Sequence, residues 1–358
     1  MFFTALRTAS FRNIADGDVS TNGRDIFLIG ENGQGKSNFL EALYFCSYGS
    51  SFRGVKDNEL IRNGENSCSV SGTLDGSLYD TISITIKDSK KTISIGGKKI
   101  PDRKELLSIA PTIIFCYEDM EFAAGAPERR RWFFDQSLSL YDPVYLDEIR
   151  KYRRVLKSRN TVLKAGNQTR ILDALDPQLA EYGISLVKKR REAAQLFSHI
   201  LGSLYMEVSG INDVSLNYVP SWKEDEAQSI VAKLEEQRAR DLAFGTSLSG
   251  PHRDRYVFMR RSSEFTVKAS TGQKRLLALL LRTAQAQRYS SMTGNKPVLL
   301  LDDVLLELDP LKRQRFLSVL PDYDQAFYTF LPEEPYERYR KDDTLMYHVR
   351  DGVLSPTI

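Results

Sequence analysis

Cysteine, histidine and net charge are all scarce in this chain of 358 residues. Its three cysteines, Cys46, Cys68 and Cys116, are odd in number, widely spaced and set in apolar or strand-like surroundings, which excludes a disulfide framework and reads as reduced core thiols. With only three histidines, His199, His252 and His348, a Cys/His metal site has no scaffold. Lys and Arg outnumber Asp and Glu by only 50 to 47, which excludes a general binder of polyanions. No apolar run approaches the length of a membrane-spanning helix, so no membrane partner is expected. The chain opens on Phe2-Phe3-Thr4-Ala5-Leu6 instead of a charged export leader, and the cytoplasm is the expected compartment. Internal repeats and low-complexity tracts are also missing. What remains is a chain 41% hydrophobic and 27% charged, long enough for two lobes with buried cores.

Against these absences stand two halves of a nucleotide site, one near each end. The first reads Gly30-Glu31-Asn32-Gly33-Gln34-Gly35-Lys36-Ser37, the G-x-x-x-x-G-K-[ST] pattern. Its glycines let successive backbone N–H groups converge on phosphate oxygens, Lys36 neutralises β/γ charge, and the Ser37 hydroxyl offers a magnesium ligand. An apolar stretch of strand length, Asp25 to Ile29, precedes the loop, and Phe39, Leu40, Leu43 and Tyr44 follow it at helical spacing. The loop thus lies between a strand and the positive N-terminus of a helix, as phosphate binding requires.

The second half is Val298-Leu299-Leu300-Leu301-Asp302-Asp303. So uniform an apolar run suits a central strand covered on both faces, and Asp302 emerges at its carboxyl end, where α/β sheets bind ligands. Asp302 is assigned to magnesium, directly or through water, and Asp303 to positioning or deprotonating the attacking water. Capping of the loop after a buried strand is the alternative for both acids.

Some thirty residues earlier, Ser270-Thr271-Gly272-Gln273 opens an apolar helix carrying Leu276, Leu277, Leu279, Leu280 and Leu281. Ser270 with Gln273 also satisfies a capping box and needs no ligand for that role. Followed by a paired-acid strand, however, the segment resembles the signature motif of the ABC-type ATPases. In that family this serine and the helix N-terminus meet the γ-phosphate held by a second subunit, so Ser270, Gly272 and Gln273 join the expected nucleotide contacts. Glu307-Leu308-Asp309 matches the position of the same family's D-loop, which crosses the dimer interface.

Further blocks narrow the resemblance. Phe11-Arg12-Asn13, Gly125-Ala126-Pro127-Glu128-Arg129-Arg130-Arg131, Val155-Leu156-Lys157-Ser158-Arg159-Asn160 and Gly250-Pro251-His252-Arg253-Asp254 occur, with the Ser270 motif, in the order seen in the RecF family. The blocks span nearly the whole chain. RecF proteins are bacterial recombination mediators related to the SMC heads. The resemblance implies ATP and Mg2+ as cofactors, an ATP-dependent homodimer, and binding to gapped DNA at single-strand/double-strand junctions. It also implies cooperation with RecR and RecO and assistance to RecA loading, with slow, DNA-stimulated hydrolysis acting as a switch. An SMC-like ATPase with a different role in DNA maintenance is the alternative. The chain departs from the usual pattern at Cys116-Tyr117, where serine-proline is common, and at Arg255, where a second acid is usual. No histidine follows Ala326-Phe327-Tyr328-Thr329-Phe330 at the transporters' switch position, which leaves the γ-phosphate sensor without a candidate. His252 is open to a structural hydrogen bond or to contact with nucleotide or partner.

Hydrophobic period sets the organisation. From residue 67 to 100 it is two: Ile82, Ile84 and Ile86, then Ile93 and Ile95 across a turn region at Lys87 to Lys91, which predicts antiparallel hairpins. From about Glu128 to Ala243 it becomes helical, punctuated at Asp142-Pro143 and Gly166-Asn167 and interrupted by an alternating stretch, Val208 to Val219. Together with the resemblance, which implies an ABC-type P-loop ATPase head, the expected fold is α/β with an antiparallel β subregion, the head being split over residues 1–119 and 245–358. A mostly helical second lobe is inserted at 120–244. It lacks the sustained heptads of a long coiled arm.

Positive charge concentrates in that insertion. Between Glu128 and Lys164 there are ten Lys/Arg against five acids, an excess suited to DNA phosphates, with a solvated face of internal ion pairs as the alternative. Arg129, Arg130, Arg131, Lys151, Arg153, Arg154 and Lys157 are the expected DNA contacts. Lys188-Lys189-Arg190-Arg191 has the same ambiguity. No base-reading motif accompanies either cluster, so contacts should be mainly to backbone, with little sequence preference. A motor or transporter cycle is the competing class, but neither a helicase motif set nor a membrane domain accompanies the phosphate loop.

Overall fold

The computed structural model describes residues 2–166, 170–305 and 308–357. The chain forms two compact units, one from residues 1–119 and 286–358, the other from 120–285.

In the first unit the strands Asp25–Ile29 and Val298–Leu301, built largely from apolar residues, lie inside a six-stranded sheet. Its order is Val353–Pro356, Leu345–Arg350, Asp25–Ile29, Gln325–Phe330, Val298–Leu301, Thr112–Phe115. All pairings are parallel except the one made by Val353–Pro356. Every residue of the four strands from Asp25–Ile29 to Thr112–Phe115 is buried, as expected when both faces of a parallel sheet are covered. The second sheet is antiparallel, in the order Gly17–Ser20, Phe2–Ala9, Ser67–Asp75, Thr81–Lys87, Lys90–Ile95, Lys98–Ile100. Here burial alternates, with Ile82, Ile84 and Ile86 inward and Thr85 and Lys87 exposed. The turn between Thr81–Lys87 and Lys90–Ile95 is only Asp88-Ser89, both left-handed at φ 49° and 59°, the backbone that matches strand twist in a two-residue hairpin. The helix Lys36–Tyr48 packs on both sheets and is buried over most of its length.

In the second unit, helices Pro127–Ser139, Pro143–Ala165, Ile171–Ser209 and Ala227–Phe244 surround a core that includes Tyr145, Ile149, Tyr152, Leu179, Trp222 and Leu234. Asp142 caps Pro143–Ala165 through the Tyr145 amide (2.9 Å), with Pro143 at the first helical position, so the expected turn is a helix start. Gly183 admits the Trp222 ring: a Cβ there would lie 2.3 Å from it. The expected alternating stretch begins at Val214, not Val208, because Val208 lies in the last turn of Ile171–Ser209, which Gly210 ends at φ 73°. Residues 245–285 pack with this unit, whereas the insertion was expected to end at 244. The cause is strand pairing: Arg255–Arg260 forms the middle of a three-stranded sheet between Ser263–Glu264 and Val214–Val219, a partner the sequence pattern does not reveal. Of the expected features, Asn167 of the Gly166-Asn167 turn and Glu307 of the D-loop position lie outside the described residues.

Candidate functional site

The Gly30–Ser37 loop leaves the buried strand Asp25–Ile29 and enters the helix Lys36–Tyr48. Gly35 is the N-cap at φ 116°, a backbone that favours glycine, and no side chain caps the helix, so its first-turn amides are left for a ligand at the loop. Neighbouring segments brace the loop. Asn13 Nδ2 donates to Gly33 O (3.2 Å), and Asn38 Nδ2 donates to Asn13 Oδ1 (2.7 Å). The Asp351 amide donates to Gln34 Oε1 (2.6 Å) and the Gly352 amide to Gln34 O (2.9 Å). The side chain and the carbonyl of Gln34 therefore tie the loop to Asp351 and Gly352. Lys36 is 4% exposed, and its Nζ donates to Gly30 O (2.6 Å) and Glu31 O (3.1 Å), carbonyls that keep the buried ammonium satisfied. A cavity of about 230 Å³ opens here, lined by Glu31, Asn32, Gly33, Gly35, Lys36 and Ser37 and closed by Asn38, Arg53 and Asp303.

The other half approaches from the strand Val298–Leu301. Although 265 positions separate them, Ser37 Oγ donates to Asp302 Oδ1 at 2.7 Å. Burial pushes the Asp302 carboxyl up to about 6; the neighbouring Asp303 adds to this and the Ser37 hydrogen bond opposes it. Two hard oxygen donors side by side, one on a carboxylate short of compensating charge, fit a magnesium ion. Asp303 sits at φ 52°, a left-handed turn that Asp tolerates better than most residues and that lets it line the cavity.

Sequence reasoning missed Thr329. It lies near the end of Gln325–Phe330, the strand inserted between the phosphate-loop strand and the paired-acid strand. The Asp303 amide donates to Thr329 Oγ1 (2.8 Å), and that hydroxyl donates to Asp303 Oδ1 (2.8 Å), with Asp302 Oδ1 at 3.3 Å. One threonine thus ties both aspartates to the centre of the sheet. The available signal was its place in an apolar strand, which does not reveal which strands it separates. Arg53 was missed as well. It donates to Asn38 Oδ1 (2.7 Å) and to Glu41 (3.1 Å), the fully buried carboxylate that also holds Arg12 (3.1 Å) and the Ser51 hydroxyl.

The family described as RecF/RecN/SMC N terminal domain matches residues 2–353. The DNA replication and repair protein RecF of Treponema pallidum is 44% identical over 345 residues, covering 96% of this chain and 98% of that one. The chain belongs to the RecF family. The protein of the same name from Leptospira interrogans is 32% identical, covering 99% of this chain and 100% of its own. A solved structure titled as the recombination mediator protein RecF-ATP in the RecFOR pathway superposes at TM-score 0.91, with 29% identity and coverage of 100% and 98%. The Smc head domain of Pyrococcus furiosus shares the fold, at TM-score 0.55 and 16% identity. The ABC-type ATPase fold and the role of a recombination mediator follow from this membership.

The blocks that carry the RecF resemblance have physical roles here. Phe11-Arg12-Asn13 supplies Asn13 to the phosphate loop and Arg12 to Glu41. Gly250 to Asp254 organises the second unit: Asp254 accepts from Arg190 (2.8 Å), the Ser221 amide (2.8 Å) and the Tyr218 hydroxyl. His252 is structural. Its Nε2 donates to Ser247 O (3.0 Å), so Nδ1 accepts from the Tyr152 hydroxyl (2.7 Å), and burial lowers its pKa to about 4. Arg159 is fully buried within this unit, donating to Asp176 (2.7 Å), Asp241 (2.6 Å) and Ser247 (2.8 Å). The Ser270 motif forms a reciprocal capping box: the Ser270 amide donates to Gln273 Oε1 (2.8 Å) and the Gln273 amide to Ser270 Oγ (3.3 Å). Ser270, Thr271 and Gly272 are nonetheless exposed at the start of the helix Thr271–Thr293.

The basic residues separate into two groups. Arg130 is engaged internally, donating to Tyr256 O and Ala123 O (both 3.1 Å) and lying over the Phe258 ring. Arg131 is largely buried and bonded to Asp254 O (2.8 Å) and Glu128 (2.9 Å). Arg190 is buried against Asp135 and Asp254, Lys189 pairs with Asp142 and Glu148, and Arg191 with Asp225, so most of the Lys188–Arg191 cluster is neutralised in place. Arg129, Lys151, Arg153, Arg154 and Lys157 are exposed.

Proposed function

We propose that this RecF-family chain is an ATP-operated switch that closes as a homodimer on DNA. The observation that carries the reading is the Ser37–Asp302 hydrogen bond of 2.7 Å, which joins the two halves of the nucleotide site. On arrival of ATP, Lys36 exchanges its loop carbonyls for β/γ-phosphate oxygens, while the open amides of the Lys36–Tyr48 helix and Arg53 supply further positive charge. Ser37 and Asp302 are the residues that hold Mg2+, which when bound neutralises phosphate charge. Asp303, with one carboxylate oxygen held by Thr329, orients the attacking water. The exposed Ser270 and the N-terminus of its helix complete the site of a second copy, as in the ATPases that this motif resembles. ATP binding then stabilises the dimer and hydrolysis releases it.

Exposed Arg129, Lys151, Arg153, Arg154 and Lys157, with Arg131 in part, form the DNA-binding set. Contact of this kind is to phosphates and favours no sequence. We extend the reading to RecR and RecO because the RecF-ATP structure that this chain resembles is named for the RecFOR pathway, and to gapped DNA and assistance to RecA loading on the strength of the RecF resemblance. Turnover is slow and DNA-stimulated. Asp303→Asn and Lys36→Ala test the site: fluorescent-nucleotide titration should find ATP affinity retained in the first and weakened by more than about tenfold in the second. Unchanged hydrolysis in Asp303→Asn refutes its assignment.

A further inference from the structure

The second unit contains a cavity of about 600 Å³, within the range of roughly 300–1,000 Å³ that holds nucleotide-sized ligands. Its floor is fully engaged. Arg190 is bonded to Asp135 (2.8 Å), Pro251 O (2.7 Å) and Asp254 (2.8 Å), and Tyr152 is bonded to His252 (2.7 Å). The rim differs. Arg129 and Arg253 are exposed, Arg253 with one nitrogen on Ser247 O (3.3 Å), and Arg153 is 59% exposed with one nitrogen on Asp135 (3.1 Å). Five arginines line the cavity against two acids, Glu128 and Asp135, each already paired with an arginine. The lining is therefore net positive.

Trp132 forms one wall. Its indole stacks on Phe122 (centroids 5.8 Å, interplanar angle 24°), yet the residue is 40% exposed and lines the cavity. Arg129 and Trp132 stand three positions apart on the helix Pro127–Ser139 and so share one face. A cation beside a partly exposed indole matches the two parts of one nucleotide, phosphate and base. A duplex base, paired and stacked on its neighbours, reaches such a wall only after unstacking, whereas a single strand presents its base faces freely.

We propose that this cavity takes one nucleotide of a single DNA strand, with the base stacked on Trp132 and the phosphate held by Arg129 and Arg253. The inference rests on the reading of this unit as DNA-binding and deepens it, because it separates a single-strand seat from general contact with duplex phosphates. The same chemistry would also receive a free mononucleotide, and the test distinguishes the two sources.

The chain has only two tryptophans, and Trp222 is fully buried with its Nε1 on Ser249 (3.1 Å), so DNA-dependent quenching of intrinsic fluorescence reports on Trp132. Full-length protein is titrated at low salt with oligothymidylate, with a duplex of equal length and with thymidine monophosphate, while anisotropy of labelled DNA follows binding independently. The expected result is saturable quenching by oligothymidylate, little by the duplex, and none by the mononucleotide at matched concentration. Trp132→Phe should abolish the quenching. Arg129→Ala with Arg253→Ala should weaken single-strand affinity about tenfold or more while circular dichroism stays unchanged. Binding by anisotropy with unquenched Trp132 overturns the seat and leaves the DNA reading standing. Absence of anisotropy change with either DNA overturns the DNA reading itself. Quenching by the mononucleotide alone makes the ligand a free nucleotide and overturns the strand proposal, and equal quenching by the duplex overturns its single-strand character.

Discussion

Asp302→Asn should stabilise the nucleotide-free protein while disabling the site. The Asp302 carboxyl is raised from the ordinary 3.8 to about 6, mainly by burial, with Asp303 beside it. At about 1.4 kcal/mol per pH unit, ionising it in the fold costs on the order of 3 kcal/mol. Asp302 keeps partial exposure, and solvent screening brings the cost to about 1–2 kcal/mol. An asparagine retains an oxygen that accepts from Ser37 and carries no charge. The sign of the pH dependence follows: the folded carboxyl binds its proton more tightly than the unfolded one, so the penalty is absent below about pH 4, grows towards pH 6 and is complete above it. Thermal unfolding in chelator should therefore show Asp302→Asn melting a few degrees above wild type at pH 7.5, with the gap closing near pH 4.5. Added ATP and Mg2+ should raise the wild-type midpoint and leave the variant nearly unmoved. A midpoint at or below wild type at pH 7.5, or a gain of equal size at both pH values, refutes the description of Asp302 as a carboxylate waiting for a cation.

Thr329→Val removes the hydroxyl that holds Asp303 and preserves the shape of the side chain. Hydrolysis should fall about ten- to a hundredfold with nucleotide affinity intact, measured by single-turnover kinetics and nucleotide titration. Replacing Arg153, Arg154 and Lys157 together with glutamine should weaken binding to gapped duplex and reduce the slope of log K against log salt by about 2–3, read by anisotropy with circular dichroism as the folding control. Hydrolysis without DNA should be unchanged in that variant, because these residues belong neither to the phosphate loop nor to the paired-acid strand.

Local pattern carried much of this structure. The phosphate-loop strand, the hairpins and the long helices are each written in a run of neighbouring residues, through period and through Gly, Pro and Asp at their ends. Partnerships across the chain were less legible. Nothing in Gln325–Phe330 announces that it separates the two halves of the nucleotide site, so Thr329 passed unnoticed. Nothing in Arg255–Arg260 announces Val214–Val219 as its partner, so the pattern does not reveal that residues 245–285 pack with the second unit. Basic residues look alike in sequence, yet Arg130, Arg159 and Arg190 lie in interior networks while Arg153 and Lys157 face solvent. Only the acids and carbonyls that fold against each arginine decide between these fates.

In the proposed switch, Ser270 completes a nucleotide site belonging to a second copy. Sedimentation of the full chain with and without ATP and Mg2+, for wild type and Ser270→Arg, tests it most directly. Wild type should shift from monomer to dimer on addition of ATP, and Ser270→Arg should bind ATP with near-normal affinity and remain monomeric. A dimer of normal stability in Ser270→Arg would leave Ser270 with its helix-capping role alone, and a wild-type chain that stays monomeric at saturating ATP would contradict the switch itself.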